Sequence, residues 1–202
     1  MEPPQSLWWS SLTRPVIARP ALQRHLDVDV AIVGGGFTGL WTARELKRRD
    51  PSLRIAVLEK SVCGFGASGR NGGWASGLFP VGEEHVIASY GEDALAHLQR
   101  VLWDSVGRLG RSMAEDGIDA DFEHGGTLTF ARSEIQRQRL MDGVATSRGH
   151  GVGPDDLEWL EGNVVRERGF VEGALGAKYS PHCARIHQIG RASCRERVYG
   201  RV

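Results

Sequence analysis

The chain has no excess of either charge: 25 Lys and Arg balance 25 Asp and Glu over 202 residues. As a whole it offers no electrostatic pull toward nucleic acid or an anionic membrane. It has only three cysteines, Cys63, Cys183 and Cys194. They are too few and too scattered for a disulfide scaffold, and they suit a reducing cytoplasm. No run of about 18 apolar residues is present, so no membrane span is expected. The start, Met-Glu-Pro-Pro-Gln-Ser-Leu-Trp-Trp, lacks the basic and apolar regions of a signal peptide. There is no Walker A pattern and no paired CxxC. Gly66-Ala67-Ser68-Gly69-Arg70 misses the nucleophile elbow at its last position. His182, Cys183 and His187 match no common metal site in number or spacing, so no metal is expected. What the chain does have is glycine, 27 residues, about twice the usual ~7%. The remaining composition, 41% hydrophobic and 25% charged, is that of a globular protein and excludes a disordered chain or a collagen.

The order of residues predicts a mixed α/β fold. Residues 1–26, with Trp8 and Trp9, read as an arm whose tryptophans anchor it to the body of the protein. The β-branched run from Val28 to Val33 reads as a buried parallel strand. Gly34-Gly35-Gly36 ends it, Leu40, Ala43 and Leu46 recur at helical spacing, and Pro51 stops that helix. Ile55 to Leu58 form a second buried strand closed by Glu59, which completes β-α-β. A glycine-rich stretch follows from Ser61 to Phe79. Leu95, Leu98, Leu102, Val106, Leu109 and Met113 then form one stripe of a long helix, ended by Gly117. Alternation over 118–122 and 128–130, split by His124-Gly125-Gly126, predicts a hairpin. Ser133 and Gln136 predict a capping box for a helix to about Gly149, and Asp155–Leu160 begins another short helix. The expected organisation is an arm (1–26), a dinucleotide-binding domain (27–117), the start of a substrate or cap domain (118–187) and a tail (188–202).

Gly34, Gly36 and Gly39 form G-x-G-x-x-G between strand and helix. The first glycine permits the tight turn and the second lets a pyrophosphate approach the backbone. The third lets helix and strand pack closely. The helix N-terminus then offers N–H groups and a positive dipole to phosphate. Glu59, 20 residues after Gly39, can accept hydrogen bonds from an adenosine ribose and would repel a 2′-phosphate. These residues alone leave NAD and FAD both open. The second glycine stretch, 64–73, frees backbone to lie against an extended ligand.

Residues 33–40 (Val-Gly-Gly-Gly-Phe-Thr-Gly-Leu), 57–60 (Val-Leu-Glu-Lys) and 64–74 (Gly-Phe-Gly-Ala-Ser-Gly-Arg-Asn-Gly-Gly-Trp) resemble a known family. It is the FAD-dependent oxidoreductases of the D-amino-acid oxidase group, and within it the gamma-glutamylputrescine oxidoreductase branch. The resemblance continues through 125–132 and 183–187. It implies an extended FAD with its adenosine end at Gly34, Gly36, Gly39 and Glu59, beside Phe37, Thr38 and Lys60. The 66–73 segment would lie along the pyrophosphate, ribityl and flavin side, with contacts at Ala67, Ser68, Arg70, Asn71, Gly72 and Gly73. The implied reaction is oxidation of a C–N bond in a small amine or amino acid, with hydride passing to the flavin. The resemblance carries no catalytic residue onto these positions, and nothing in the sequence specifies an oligomer. An NAD-dependent dehydrogenase and a non-catalytic dinucleotide-binding module are the alternatives. Cys63 reads as a packing thiol rather than a flavin attachment point, and His124 as a solvated turn residue.

Residues 188–202 have a different character, with four Arg and no apolar period. Ile189–Val198 can be encoded by ATC GGA AGA GCG TCG TGT AGG GAA AGA GTG, which resembles a common sequencing adapter. The expectation is that native sequence ends at His187 and that the family continues further. Without the tail the net charge becomes −3. Nine of the 25 glycines that remain lie in the loops 34–39 and 64–73.

Overall fold

A computed structural model describes residues 6–12, 16, 18–23, 25–78 and 81–189. Most of the adapter-like tail, with Cys194, lies outside the described residues. The chain forms two compact units: residues 1–73, 111–122 and 186–202 in the first, and 74–110 and 123–185 in the second. The units interleave along the sequence, whereas the expected boundary at 117/118 was a single cut.

In the first unit a short helix α1 (Leu7–Ser10) precedes strand β1 (Val30–Val33), helix α2 (Phe37–Arg49) and strand β2 (Ile55–Leu58). β1 and β2 are parallel, in register from Val30↔Ile55 to Val33↔Leu58. The ladder is continued at one end by Gly34 N–H to the Leu58 carbonyl, at 2.8 Å. At the other end, Arg54 binds the Asp29 carboxylate through its backbone N–H and its guanidinium. α2 buries Leu40 and Ala43 and stops at Asp50, because proline at 51 disfavours helical geometry in the residue before it. Arg44, also on α2, is 3% exposed. Its guanidinium reaches both carboxylate oxygens of Asp116 and one oxygen of Glu45.

The β-α-β is present as expected, but its strands are not buried on both faces. Val33 is 87% exposed and Leu58 38%, while Ala56 is 1% exposed. The reason is that the described part of this sheet has two strands. Val33 and Leu58 are register partners at the end of that ladder, where no further described strand flanks them.

The second unit contains strand β3 (Trp74–Ser76), helix α3 (Glu83–Tyr90), helix α4 (Glu92–Glu115), strand β4 (Thr127–Ala131) and helix α5 (Glu134–Gly149). Strand β5 (Glu158–Leu160), helix α6 (Gly162–Arg168), strand β6 (Gly176–Ser180) and strand β7 (Cys183–Arg185) follow. The end of α4, from Arg111, belongs to the first unit. The apolar stripe of α4 is buried at Leu95, Val106, Leu109 and Met113. Its end is a Schellman motif: Ile118 N–H bonds to the Met113 carbonyl and Gly117 N–H to that of Ala114, with Gly117 at φ +61°. Ser133 and Gln136 form the expected cap on α5, Ser133 Oγ accepting from Gln136 N–H and Gln136 Oε1 from Arg132 N–H.

Two expectations are corrected here. The hairpin over 118–130 does not form. β4 pairs antiparallel with β6, some 50 residues later, in the order β4-β6-β5, and Glu123 makes only a single bridge, to Arg185. Gly126 is therefore not a hairpin turn. A side chain there would collide with the Ser180 carbonyl and the Tyr179 ring, so glycine permits the close start of β4 on β6. Asp155–Leu160 is not a helix: Glu158–Leu160 is an edge strand on β6. The apolar pair Trp159–Leu160 fits either period, and a strand partner remote in sequence decided it.

Candidate functional site

The three motif glycines are required for three different reasons. Gly34 has φ +105°, and a Cβ there would meet nothing. Its constraint is conformational. A Cβ on Gly39 would be driven into the Gly34 carbonyl, with Ile32 Cγ2 at 3.2 Å, so that position is glycine for packing. Gly36 is the N-cap of α2, in extended geometry that any residue adopts. A Cβ on it would approach only the Ser68 side chain, at 3.0 Å from Oγ. Neither backbone strain nor the fold's own packing demands glycine there.

A fourth glycine, at the middle position the motif leaves free, is locked as tightly. A Cβ on Gly35 would stand 2.7 Å from Cys63 Sγ and 3.2 Å from Glu59 Cβ. Gly35 N–H donates to Glu59 Oε2 at 2.8 Å, and its carbonyl accepts from Gly64 N–H at 3.0 Å. Glu59 Oε1 accepts from Ser61 N–H at 3.0 Å. The carboxylate at the end of β2 is thus held by one backbone donor on each oxygen. Each oxygen retains a second lone pair for a hydroxyl. Sequence reasoning assigned Glu59 to a ligand and missed that it also builds the first loop. Its signal was the Gly-Gly-Gly run, one glycine more than the motif needs.

The second loop comes back onto the first. Ala67–Gly69 form a single 3-10 turn, and Ser68 Oγ accepts from Phe37 N–H at 3.0 Å. Gly36 has no side chain with which to cap α2, and Ser68 caps it from 31 residues away. Asn71 stabilises its own turn: Oδ1 accepts from Gly73 N–H at 3.1 Å, and Nδ2 donates to the Ser68 carbonyl at 3.1 Å. Arg70 Nε donates to the Gly66 carbonyl. Cys63 is buried against Leu40 and Phe37.

The structure therefore brings together Gly34, Gly36, Phe37, Gly39, Glu59 and Ser68. Asn71 and Gly73 belong to the same loop through the hydrogen bond between them. Thr38 is exposed in the first turn of α2, where helix geometry leaves its N–H without an intrahelical partner. Ala67, Arg70 and Gly72 are exposed along the second loop, and Lys60 is exposed just beyond β2. His182 bonds to Asp156 at 2.8 Å and stacks on Trp103, while His187 meets Ser11 Oγ at 3.0 Å. Among the described residues no group of His, Cys, Asp and Glu is arranged to hold a metal ion, and no helix is long and apolar enough to cross a membrane.

A model of the DAO family, FAD dependent oxidoreductases, matches residues 29–190. Gamma-glutamylputrescine oxidoreductase of Escherichia coli strain K12 is 30% identical over 171 residues, covering 85% of this chain and 39% of that protein. The crystal structure of glycine oxidase from Geobacillus kaustophilus is similar with a TM-score of 0.60 at 26% identity, over 85% of this chain and 44% of that one. L-amino acid deaminase from Proteus vulgaris shares the fold at 19% identity, with a TM-score of 0.64 over 93% of this chain and 42% of that one. The chain thus spans less than half the length of these proteins. Its family match covers both glycine loops and Glu59, and the chain belongs to the DAO family of FAD-dependent oxidoreductases.

Proposed function

We propose that this chain is the N-terminal part of a cytoplasmic enzyme that oxidises a C–N bond of a small amine or amino acid. The observation that carries the FAD site is the meeting of the two glycine loops at the N-terminus of α2, through Ser68 Oγ and Phe37 N–H. The residues fit the cofactor. Gly36 is a cradle that a side chain would fill, and its fold does not otherwise need it bare. The α2 dipole and first-turn amides at Thr38 and Gly39 suit a pyrophosphate. Glu59 is anchored with acceptor capacity left for ribose hydroxyls. Ala67, Ser68, Arg70, Asn71, Gly72 and Gly73 continue the site toward the flavin, and Lys60 borders the adenosine end. FAD, when bound, supplies the hydride acceptor. This chain's own residues hold and orient it.

The amine or amino-acid substrate is supported by relatives named for such compounds, gamma-glutamylputrescine oxidoreductase and glycine oxidase. The test is to titrate the purified full-length protein with FAD and NAD, then mix the FAD complex anaerobically with a panel of amines and amino acids. Bleaching of flavin absorbance is the expected result. NAD binding without FAD binding, or bound FAD that no amine or amino acid reduces, would overturn the reading.

The adapter reading of 188–202 is supported by two observations. The family match stops at residue 190, two residues into the adapter-like codons 189–198. Gln188 is 1% exposed, and its Oε1 has no hydrogen-bond partner among the described residues. A buried unpaired amide oxygen costs about 1–3 kcal/mol. Codons unlike the adapter at 189–198 would refute this.

A further inference from the structure

We infer that the N-terminal arm, through Trp8, braces the second glycine loop in its cofactor-binding form. This rests on the assignment of 66–73 to FAD. The arm does not merely lie on the first unit. Its contacts converge on that loop. Ser6 Oγ donates to the Gly69 carbonyl at 2.9 Å, and Trp8 Nε1 donates to the Asn71 carbonyl at 2.7 Å. The Trp8 ring fills the space where Gly73 would carry a side chain, and Trp9 Nε1 stands 3.0 Å from the equivalent point on Gly69. Gly69 and Gly73 are both buried, although the residues between them are exposed.

The brace is itself anchored on the segment Ile186–His187. Ser11 Oγ and His187 Nε2 are 3.0 Å apart, and the Trp8 and His187 rings meet edge to face at 5.2 Å. His187 N–H donates to the Ala120 carbonyl, and Ile186 N–H to the Gly73 carbonyl. Trp8 is therefore held between the loop and a fixed segment.

The physical need is entropic. Residues 64–73 include five glycines, the residue that loses most conformational freedom on ordering. A loop that ordered only on contact with FAD would subtract that cost from the affinity. The arm orders it beforehand. Trp8 acts through Asn71 and Gly73 and is a positioning residue.

The test measures amide hydrogen exchange at 69–73 in the ligand-free full chain, and FAD affinity, for wild type, Trp8→Ala, Trp8→Phe and the control Trp159→Phe. Trp8→Ala should accelerate exchange at 69–73 by about tenfold, and Trp8→Phe by about fivefold, the effect of one lost hydrogen bond. β1 and β2 amides should be unchanged. Trp159→Phe, which loses an indole N–H to Glu161 elsewhere, should leave 69–73 as in wild type. FAD affinity should fall in the same order, and saturating FAD should restore protection in Trp8→Phe. Unchanged exchange at 69–73 in Trp8→Ala would overturn the inference. So would acceleration spread equally over β1 and β2 in Trp8→Phe, or faster loop exchange with unaltered FAD affinity. If wild type itself binds no FAD, the cofactor assignment fails, while the exchange data still decide whether the arm orders the loop.

Discussion

Replacing Gly36 and Gly39 by alanine separates a glycine kept for a ligand from a glycine kept for the fold. At Gly39 the new methyl group collides with the backbone carbonyl of Gly34 and crowds Ile32 Cγ2 at 3.2 Å. A backbone oxygen cannot rotate away, so α2 must lift from β1. Overpacking of this kind costs about 1–3 kcal/mol, more where backbone must move. The gain in helix propensity returns at most about 1 kcal/mol. A net loss of about 2 kcal/mol should lower the melting temperature of a chain this size by about 4–8 °C. At Gly36 the methyl group meets only Ser68 Oγ at 3.0 Å, and a shift of a few tenths of an ångström in that side chain relieves the contact while keeping its bond to Phe37 N–H. Backbone geometry there is open to alanine, and the N-cap preference for glycine over alanine costs about 0.5–1 kcal/mol. The ligand-free Gly36→Ala chain should melt within about 3 °C of wild type. Its loss should fall on FAD. Pushing a phosphate out of reach of the α2 amides removes one charge-assisted hydrogen bond or more, about 1.5–3 kcal/mol, or tenfold to a hundredfold in affinity. Thermal melting without FAD and calorimetric titration with it, on the same preparations, measure both quantities. Equal destabilisation of the two ligand-free variants, or unaltered FAD affinity in Gly36→Ala, would refute the reasoning.

Three further outcomes are expected. Ser68→Ala removes the cap on Phe37 N–H and should destabilise the ligand-free chain by about 1 kcal/mol, read by urea denaturation. Arg44→Met leaves the Asp116 carboxylate, whose side chain is 10% exposed, without its main partner. The loss should be about 3 kcal/mol, and the double variant Arg44→Met with Asp116→Leu should recover part of it. The Arg54 guanidinium and backbone N–H hold the Asp29 carboxyl down to about 2 from its ordinary 3.8. A depressed folded-state value means that the pair's contribution is complete above pH 3.8 and fades as pH falls toward 2. In Arg54→Ala the carboxyl carbon resonance of Asp29 should titrate at a higher pH than in wild type but still below 3.8, because the backbone N–H of residue 54 remains bonded to it.

The first loop was legible in the sequence because its constraints are local. Gly34 answers to its own φ, and Gly39 to a carbonyl five residues away. The Schellman end of α4 at Gly117 and the Ser133–Gln136 cap were legible for the same reason. The hairpin over 118–130 was misread because β4 finds its partner in β6, and no turn residue marks a pairing across 50 residues. The strand at 158–160 was misread because two adjacent apolar residues carry no period. The buried strands expected at β1 and β2 emerged half exposed, since β-branched composition records what a strand is suited to pack against and not whether the partner is there.

By itself, the sequence determined the dinucleotide-binding β-α-β, the acid that closes it and the glycine loops that flank it. These follow from backbone sterics and from periodicities of two and 3.6, which act over a few residues. Tertiary structure alone decided that Ser68 caps α2, that Glu59 and Cys63 make Gly35 indispensable, and that Trp8 stands against Gly73. Each of these joins residues 24 to 65 positions apart in the chain, and such contacts exist only once the loops have been folded onto one another.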